Sequence, residues 1–100
     1  MVIKVVYSMN YVPGRRLEYL EWVKKSVPIF LAPEEVKKMS AYVNWTSCSP
    51  HRVVEFEFED VAAMERWASR EDIKKVSDEW VDLSSDQDAT ILELVYEKAK

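Results

Sequence analysis

Glycine, cysteine and histidine each occur once in the 100 residues, as Gly14, Cys48 and His51. A single cysteine allows no internal disulfide, so nothing points to secretion. One Cys and one His fall well short of the four ligands that a structural zinc site normally takes. A basic excess is also missing. Fourteen Lys and Arg face 18 Asp and Glu, a net charge of -4, which argues against broad binding to nucleic-acid phosphates. No apolar run is long enough for a membrane span, and "MVIKVVYSMN" has no cleavage region of a signal peptide behind it. A soluble cytoplasmic protein is therefore expected, with no membrane or nucleic-acid partner. Hydrophobic residues make up 48% and charged residues 32% of the chain, enough apolar material for one folded domain over residues 1–100.

Hydrophobic periodicity divides the chain. Residues 2–9, "VIKVVYSM", alternate, with Ile3, Val5, Tyr7 and Met9 on one face, and predict a half-buried strand that "NYVPG" breaks. From Arg15 the period changes to three and four. Leu17, Leu20, Val23, Val27 and Phe30 form a helical stripe, with Tyr19 and Trp22 off it and a kink or end expected near Pro28. Residues 38–47 alternate again, placing Met39, Ala41, Val43 and Trp45 together. "CSP" predicts a turn, and 51–59 is the clearest strand, with Val54, Phe56 and Phe58 on its apolar face.

Asp60 is placed to cap the next helix, whose stripe is Val61, Met64, Trp67 and Ala68. The stripe slips and resumes as Ile73, Val76 and Trp80. Ser69-Arg70-Glu71-Asp72, at the slip, resembles a capping box that starts a second helical piece at Ser69. "DLSSDQD" reads as a polar loop and "ATILELVYE" as the last strand, with Leu92, Leu94 and Tyr96 facing the core.

Strand, helix, strand, strand, broken helix, strand is the order of a ferredoxin-like α+β fold, βαββαβ, with an antiparallel sheet in the order 4-1-3-2. Both helices would cover one face. The other would carry Val2, Lys4, Val6, Tyr42, Asn44, Thr46, Val53, Glu55, Glu57, Ile91, Glu93 and Val95. It is too apolar to face water alone, so a homodimer through this open face is expected.

With "EYLEWVKKSVP" in the first helix and "FEFEDVAAMERWASREDIKKV" from third strand to broken helix, the chain resembles the dimeric α/β-barrel superfamily, which includes the antibiotic-biosynthesis monooxygenases and the stress-responsive barrel proteins. The resemblance implies two subunits packing their open sheet faces into one barrel. It covers nearly the whole chain and rests on pattern rather than on an invariant motif. Members range from cofactor-free oxygenases, isomerases and haem-degrading enzymes to proteins with no assigned reaction. The haem-degrading members resemble one another in an Asn, Trp and His trio with the His on the second helix. No His lies there in this chain, and no cofactor is expected. The third strand is also similar to the "FVEFED" of RNA-recognition motifs. Aligned on "FED", however, the base-stacking positions fall to Val53 and Glu55, which offer a base no ring and repel phosphate.

The fold brings the end of the first strand, the 47–51 hairpin and the loop before the last strand to one edge. Asn10, Tyr11, Arg15, Arg16, His51, Arg52, Asp86 and Asp88 should gather there, over an apolar layer containing Tyr7, Trp45, Trp67 and Trp80. Polar groups converging on an aromatic layer are the makings of a small-ligand pocket. The candidate catalytic residues are His51 and Arg52, for a proton or an anionic intermediate. Tyr7, Asn10, Trp45, Trp67 and Trp80 are the candidate substrate-binding residues, and no metal ligand is assigned. Two functions fit: a non-catalytic barrel that binds a small molecule or serves in assembly, and a cofactor-free monooxygenase-like enzyme on a small aromatic or lipophilic substrate.

Overall fold

The computed structural model describes residues 1–100. Its elements are β1 (Ile3–Tyr11), α1 (Arg16–Leu31), β2 (Val36–Val43), β3 (Arg52–Phe58), α2 (Val61–Ala68), α3 (Glu71–Leu83) and β4 (Ser84–Glu93). The strands form one antiparallel sheet in the order β2-β3-β1-β4, the ferredoxin-like order read from the other edge. Ile3, Val5 and Met9 of β1 and Phe56 and Phe58 of β3 are buried under the helices, as their alternation requires. Directly paired residues share a face, so Ile3 opposite Phe58, Val5 opposite Phe56 and Tyr7 opposite Val54 define the core side.

The single glycine sits where the chain needs it. Gly14 takes φ of +81° in the turn that leads from β1 to α1, and Arg15 N–H closes that turn on Val12 O at 2.9 Å. On α1 the buried residues are Tyr19, Trp22, Ser26 and Phe30, so the face is rotated from the aliphatic stripe expected. Leu17 is 78% exposed. The two large aromatics remove more apolar area from water than the leucines do, and their side decides the rotation. The helix also runs through Pro28 and ends one turn later, with Pro28 on its exposed side, where a missing backbone hydrogen bond costs least.

Further expectations are corrected. β2 ends at Val43, and Trp45 lies in the turn beyond it. Asn44 makes the turn: its Oδ1 accepts from Thr46 N–H at 2.9 Å, and its Nδ2 donates to Pro50 O at 3.0 Å. Ser69 closes α2 rather than opening α3, its hydroxyl donating to Glu65 O at 2.7 Å, while α3 begins without a side-chain cap at Arg70. Asp60 does cap α2, accepting from Ala63 N–H at 2.8 Å.

The polar loop expected at 82–88 is absent, because α3 passes directly into β4 at Ser84. The register of β4 puts Leu92 opposite Lys4 and Ile91 opposite Val5. Leu92 therefore belongs to the open face, and Ile91 and Glu93 to the helix side, the reverse of the phase read from the sequence. Val95 lies past the end of β4 and is 86% exposed, not in the middle of the open face.

Asp60→Ala is expected to destabilise the fold by about 1 kcal/mol, and Ser69→Ala by less than about 0.5 kcal/mol. Urea midpoints of the two variants would check this. Equal losses would restore Ser69 as an N-terminal cap.

Candidate functional site

Bulky rings between the sheet and helices α1 and α3 do not close on each other. They leave a cavity of about 270 Å³. Tyr7, Val54 and Phe56 form its sheet floor, and Tyr19, Trp22 and Phe30 come from α1. Trp67 closes the α2 side, Trp80 and Val81 enter from α3, and Met39 and Ala41 from the edge strand β2. The walls are packed edge to face: Tyr7 stands 5.5 Å from Trp80 and 6.0 Å from Phe56 between ring centroids. Trp67 is 1% exposed and lies 4.9 Å from Phe56. Its indole N–H donates to Phe30 O at 3.0 Å, so the buried polar atom of the wall is satisfied and turned away from further hydrogen bonding.

Few polar groups remain to meet a ligand: the Tyr7 and Tyr19 phenols, Ser26, Ser77, Asp78 and Arg52. Ser26 already donates to Val23 O at 3.4 Å. Burial pushes both phenols above their ordinary value of 10.0; for Tyr19 the nearby positive charge of Arg52 works against that rise. The Arg52 guanidinium carbon lies 5.8 Å from the centre of the Tyr19 ring, and Arg52 makes no ion pair.

The sequence-derived candidates therefore divide. Tyr7, Arg52, Trp67 and Trp80 line one cavity. Asn10 and His51 do not; they knit the end of the sheet. Asn10 Nδ2 donates to Ser49 Oγ and Asp86 Oδ2, both at 3.0 Å, and its Oδ1 accepts from His51 N–H. His51 Nδ1 accepts from Tyr11 N–H at 3.0 Å, and its ring stacks on Tyr11, over which Arg16 lies on its own account. That bond occupies the nitrogen a general base would need and leaves the proton on Nε2. Arg15 pairs instead with Glu18 and reaches Asp82 O at 3.0 Å. Trp45 stands apart in its turn, 96% exposed and away from the cavity. Cys48 is a free, exposed thiol in the same turn. Tyr19 and Trp22 were the lining residues that periodicity put off the core face. Their size was the signal available.

The open face carries a second feature. Val2, Val6, Val53, Tyr42 and Leu92 are partly exposed there around Lys4, whose ammonium lies 3.3 Å from Glu55. That hydrogen bond, and the Glu55 charge behind it, hold the Lys4 pKa up. No helix is long and apolar enough to cross a membrane, and no three His, Cys, Asp or Glu side chains cluster so as to hold a metal ion.

No family model matches the chain, and no curated protein is similar to it in sequence. Solved structures are similar to it in fold. A DABB family protein with a ferredoxin-like fold from Mesorhizobium loti superposes with a TM-score of 0.81 at 18% identity, covering 95% of this chain and 98% of that one. The chain has the ferredoxin-like fold of that group. SnoaB, a cofactor-independent oxygenase from Streptomyces nogalater, gives 0.84 at 9% identity over 99% and 98% of the two chains. A dimeric protein of unknown function from Bacteroides fragilis gives 0.75 at 10% over 93% and 96%. The resemblance read from the first helix and the third strand is thus borne out as one of fold, and at these identities it assigns no reaction.

Tyr7 and Tyr19 make stability sensitive to alkali. A phenol whose pKa is higher in the folded chain keeps its proton there after the unfolded chain has begun to lose it. Its contribution is intact below pH 10.0 and is lost as pH rises through the folded value. Lys4 acts in the same direction, so variants must be compared with the wild type. The Tyr7→Phe, Tyr19→Phe double variant is expected to lose less stability than wild type between neutral pH and pH above 10. Parallel urea midpoints with pH would contradict the assignment.

Proposed function

We propose that the protein is a homodimeric α/β-barrel protein that binds a small, largely apolar aromatic molecule between its helices and its sheet. The observation that carries this is the aromatic cavity. The space of about 270 Å³ is lined mainly by apolar and aromatic side chains and opens partly to solvent past Ala41, Asp78 and Val81, which gives a small planar molecule both room and a way in. Its walls offer flat rings to a flat guest, and the few polar groups suit orientation more than solvation.

Naphthol serves as a neutral test ligand. It is expected to quench the tryptophan fluorescence of the wild type saturably and to lose most of its affinity in Ala41→Phe, which pushes a ring into the cavity from the edge strand. No saturable binding at millimolar naphthol would sink the proposal.

The likeness to SnoaB favours a second reading, cofactor-independent oxygenation of the bound molecule. That chemistry asks for a base beside the bound ring, and His51, the base the sequence offered, lines no part of the cavity. Binding is therefore the stronger reading. Dioxygen uptake in the presence of naphthol would reverse the preference.

The dimer has two supports: the apolar residues left on the open face, and a fold neighbour that is dimeric. Covering Val2, Val6, Val53, Tyr42 and Leu92 with the same face of a second copy removes their apolar area from water, worth roughly 25 cal/mol per Å² before association costs. Lys4 and Glu55 would enter that interface already paired, which limits the cost of enclosing their charges. Light scattering is expected to show a dimer at micromolar concentration for wild type and for Lys24→Asp, on the outside of α1, and a monomer for Val6→Asp. A monomeric wild type, or a fully stable Val6→Asp dimer, would rule the open face out as the interface.

A further inference from the structure

Arg52 is out of place in this cavity. It stands at the start of β3, on the core side of the sheet, opposite Met9 on β1 and Val43 on β2. Its Nε is buried and has no hydrogen-bond partner, the one buried side-chain nitrogen or oxygen in the protein left in that condition. No carboxylate answers its charge. Asp78 also lines the cavity, but it is exposed on α3 and makes no ion pair with Arg52. A buried donor without an acceptor is costly and rare. A guanidinium also keeps its charge at any physiological pH, so Arg52 cannot escape the cost by losing its proton. The Tyr19 ring, 5.8 Å from the guanidinium carbon, favours the cation but accepts none of its hydrogen bonds in the plane of the fork.

The opposite end of the same wall is mostly aromatic, with Ser77 and the exposed Asp78 at its margin. Phe56, four residues along β3, packs against Trp67, and no charged side chain other than Arg52 and Asp78 borders the cavity. The space is therefore polarised, with rings at one end and, at the other, a part-exposed guanidinium whose Nε is buried without an acceptor. We infer that Arg52 is the anchoring residue of this cavity, and that its ligand is an aromatic carboxylate whose two oxygens take the guanidinium while its ring lies among Tyr7, Phe56, Trp67 and Trp80. The carboxylate matches the guanidinium in charge, planarity and spacing, which a single hydroxyl or a ketone does not. This deepens the reading of the cavity as an aromatic site and depends on it.

Naphthoate and naphthamide differ little in shape, and only the first is an anion at neutral pH. Wild type is expected to bind naphthoate about tenfold or more tightly than naphthamide, the range of a charge-assisted hydrogen-bonded pair. Arg52→Met should remove that preference, lowering naphthoate affinity far more than naphthamide affinity. Arg52→Lys, which keeps charge without the fork, should retain only part of it. The naphthamide affinity of each variant doubles as evidence that the cavity is intact. Should Arg52→Met fail to fold, the wild-type preference and Arg52→Lys still decide. If wild type binds the two compounds equally, or if Arg52→Met keeps the preference, Arg52 is not the anchor and the aromatic site stands without it. If neither compound binds, the aromatic site falls and the anchor with it.

Discussion

The indole of Trp67 is the contact on which the helix layer depends. It is fully buried, it packs against Phe30, Phe56 and Phe58, and its N–H reaches back to the Phe30 carbonyl at 3.0 Å. One side chain thus ties α2 to the last turn of α1 and seats both on the sheet. Truncating a buried tryptophan of this kind to alanine costs about 3–5 kcal/mol, a large share of what a 100-residue domain has. Rings of this size also set the spacing between the layers. They meet edge to face and at tilted angles, and the gap they leave between α1, α3 and the sheet is the cavity.

A sheet in two layers has a second consequence. Helices cover one face, and the other is left with whatever the sequence puts there. Here that face mixes valine, tyrosine and leucine with one lysine–glutamate pair. The same chain therefore has two unfinished surfaces, one a recessed aromatic cavity between helices and sheet, the other open and mixed. The proposed occupants differ, a small planar molecule for the first and a second copy for the second.

Much of this was legible where a strand has one polar side. Ile3, Val5 and Met9 alternate with polar or smaller neighbours, and Phe56 and Phe58 alternate with glutamates, so the core face followed from the pattern. β4 defeated the same reasoning because "ILEL" has apolar residues on both sides. Its phase is set by pairing with β1 and by the bulge between Ser8 and Asn10, which no local pattern reveals. On α1 the leucines and valines traced a plausible stripe, and Tyr19 and Trp22 overrode it by size. At Ser69 a hydroxyl three residues before an acid fitted a capping box, but the helix it serves is the one behind it.

Of the candidate site, the part carried by the sheet and the long helices came through. Tyr7, Arg52, Trp67 and Trp80 meet because strand alternation and helical period place them on facing layers. Asn10, His51 and Trp45 belong to the turns, where each side chain's direction depends on hydrogen bonds that the sequence does not announce. The measurement that tests the cavity most directly is the set of four indole N–H signals in a nitrogen–proton correlation spectrum during a naphthol titration. A guest among the rings should shift Trp22, Trp67 and Trp80 together and leave Trp45 where it was. A shift confined to Trp45, or to none of the four, would contradict the account.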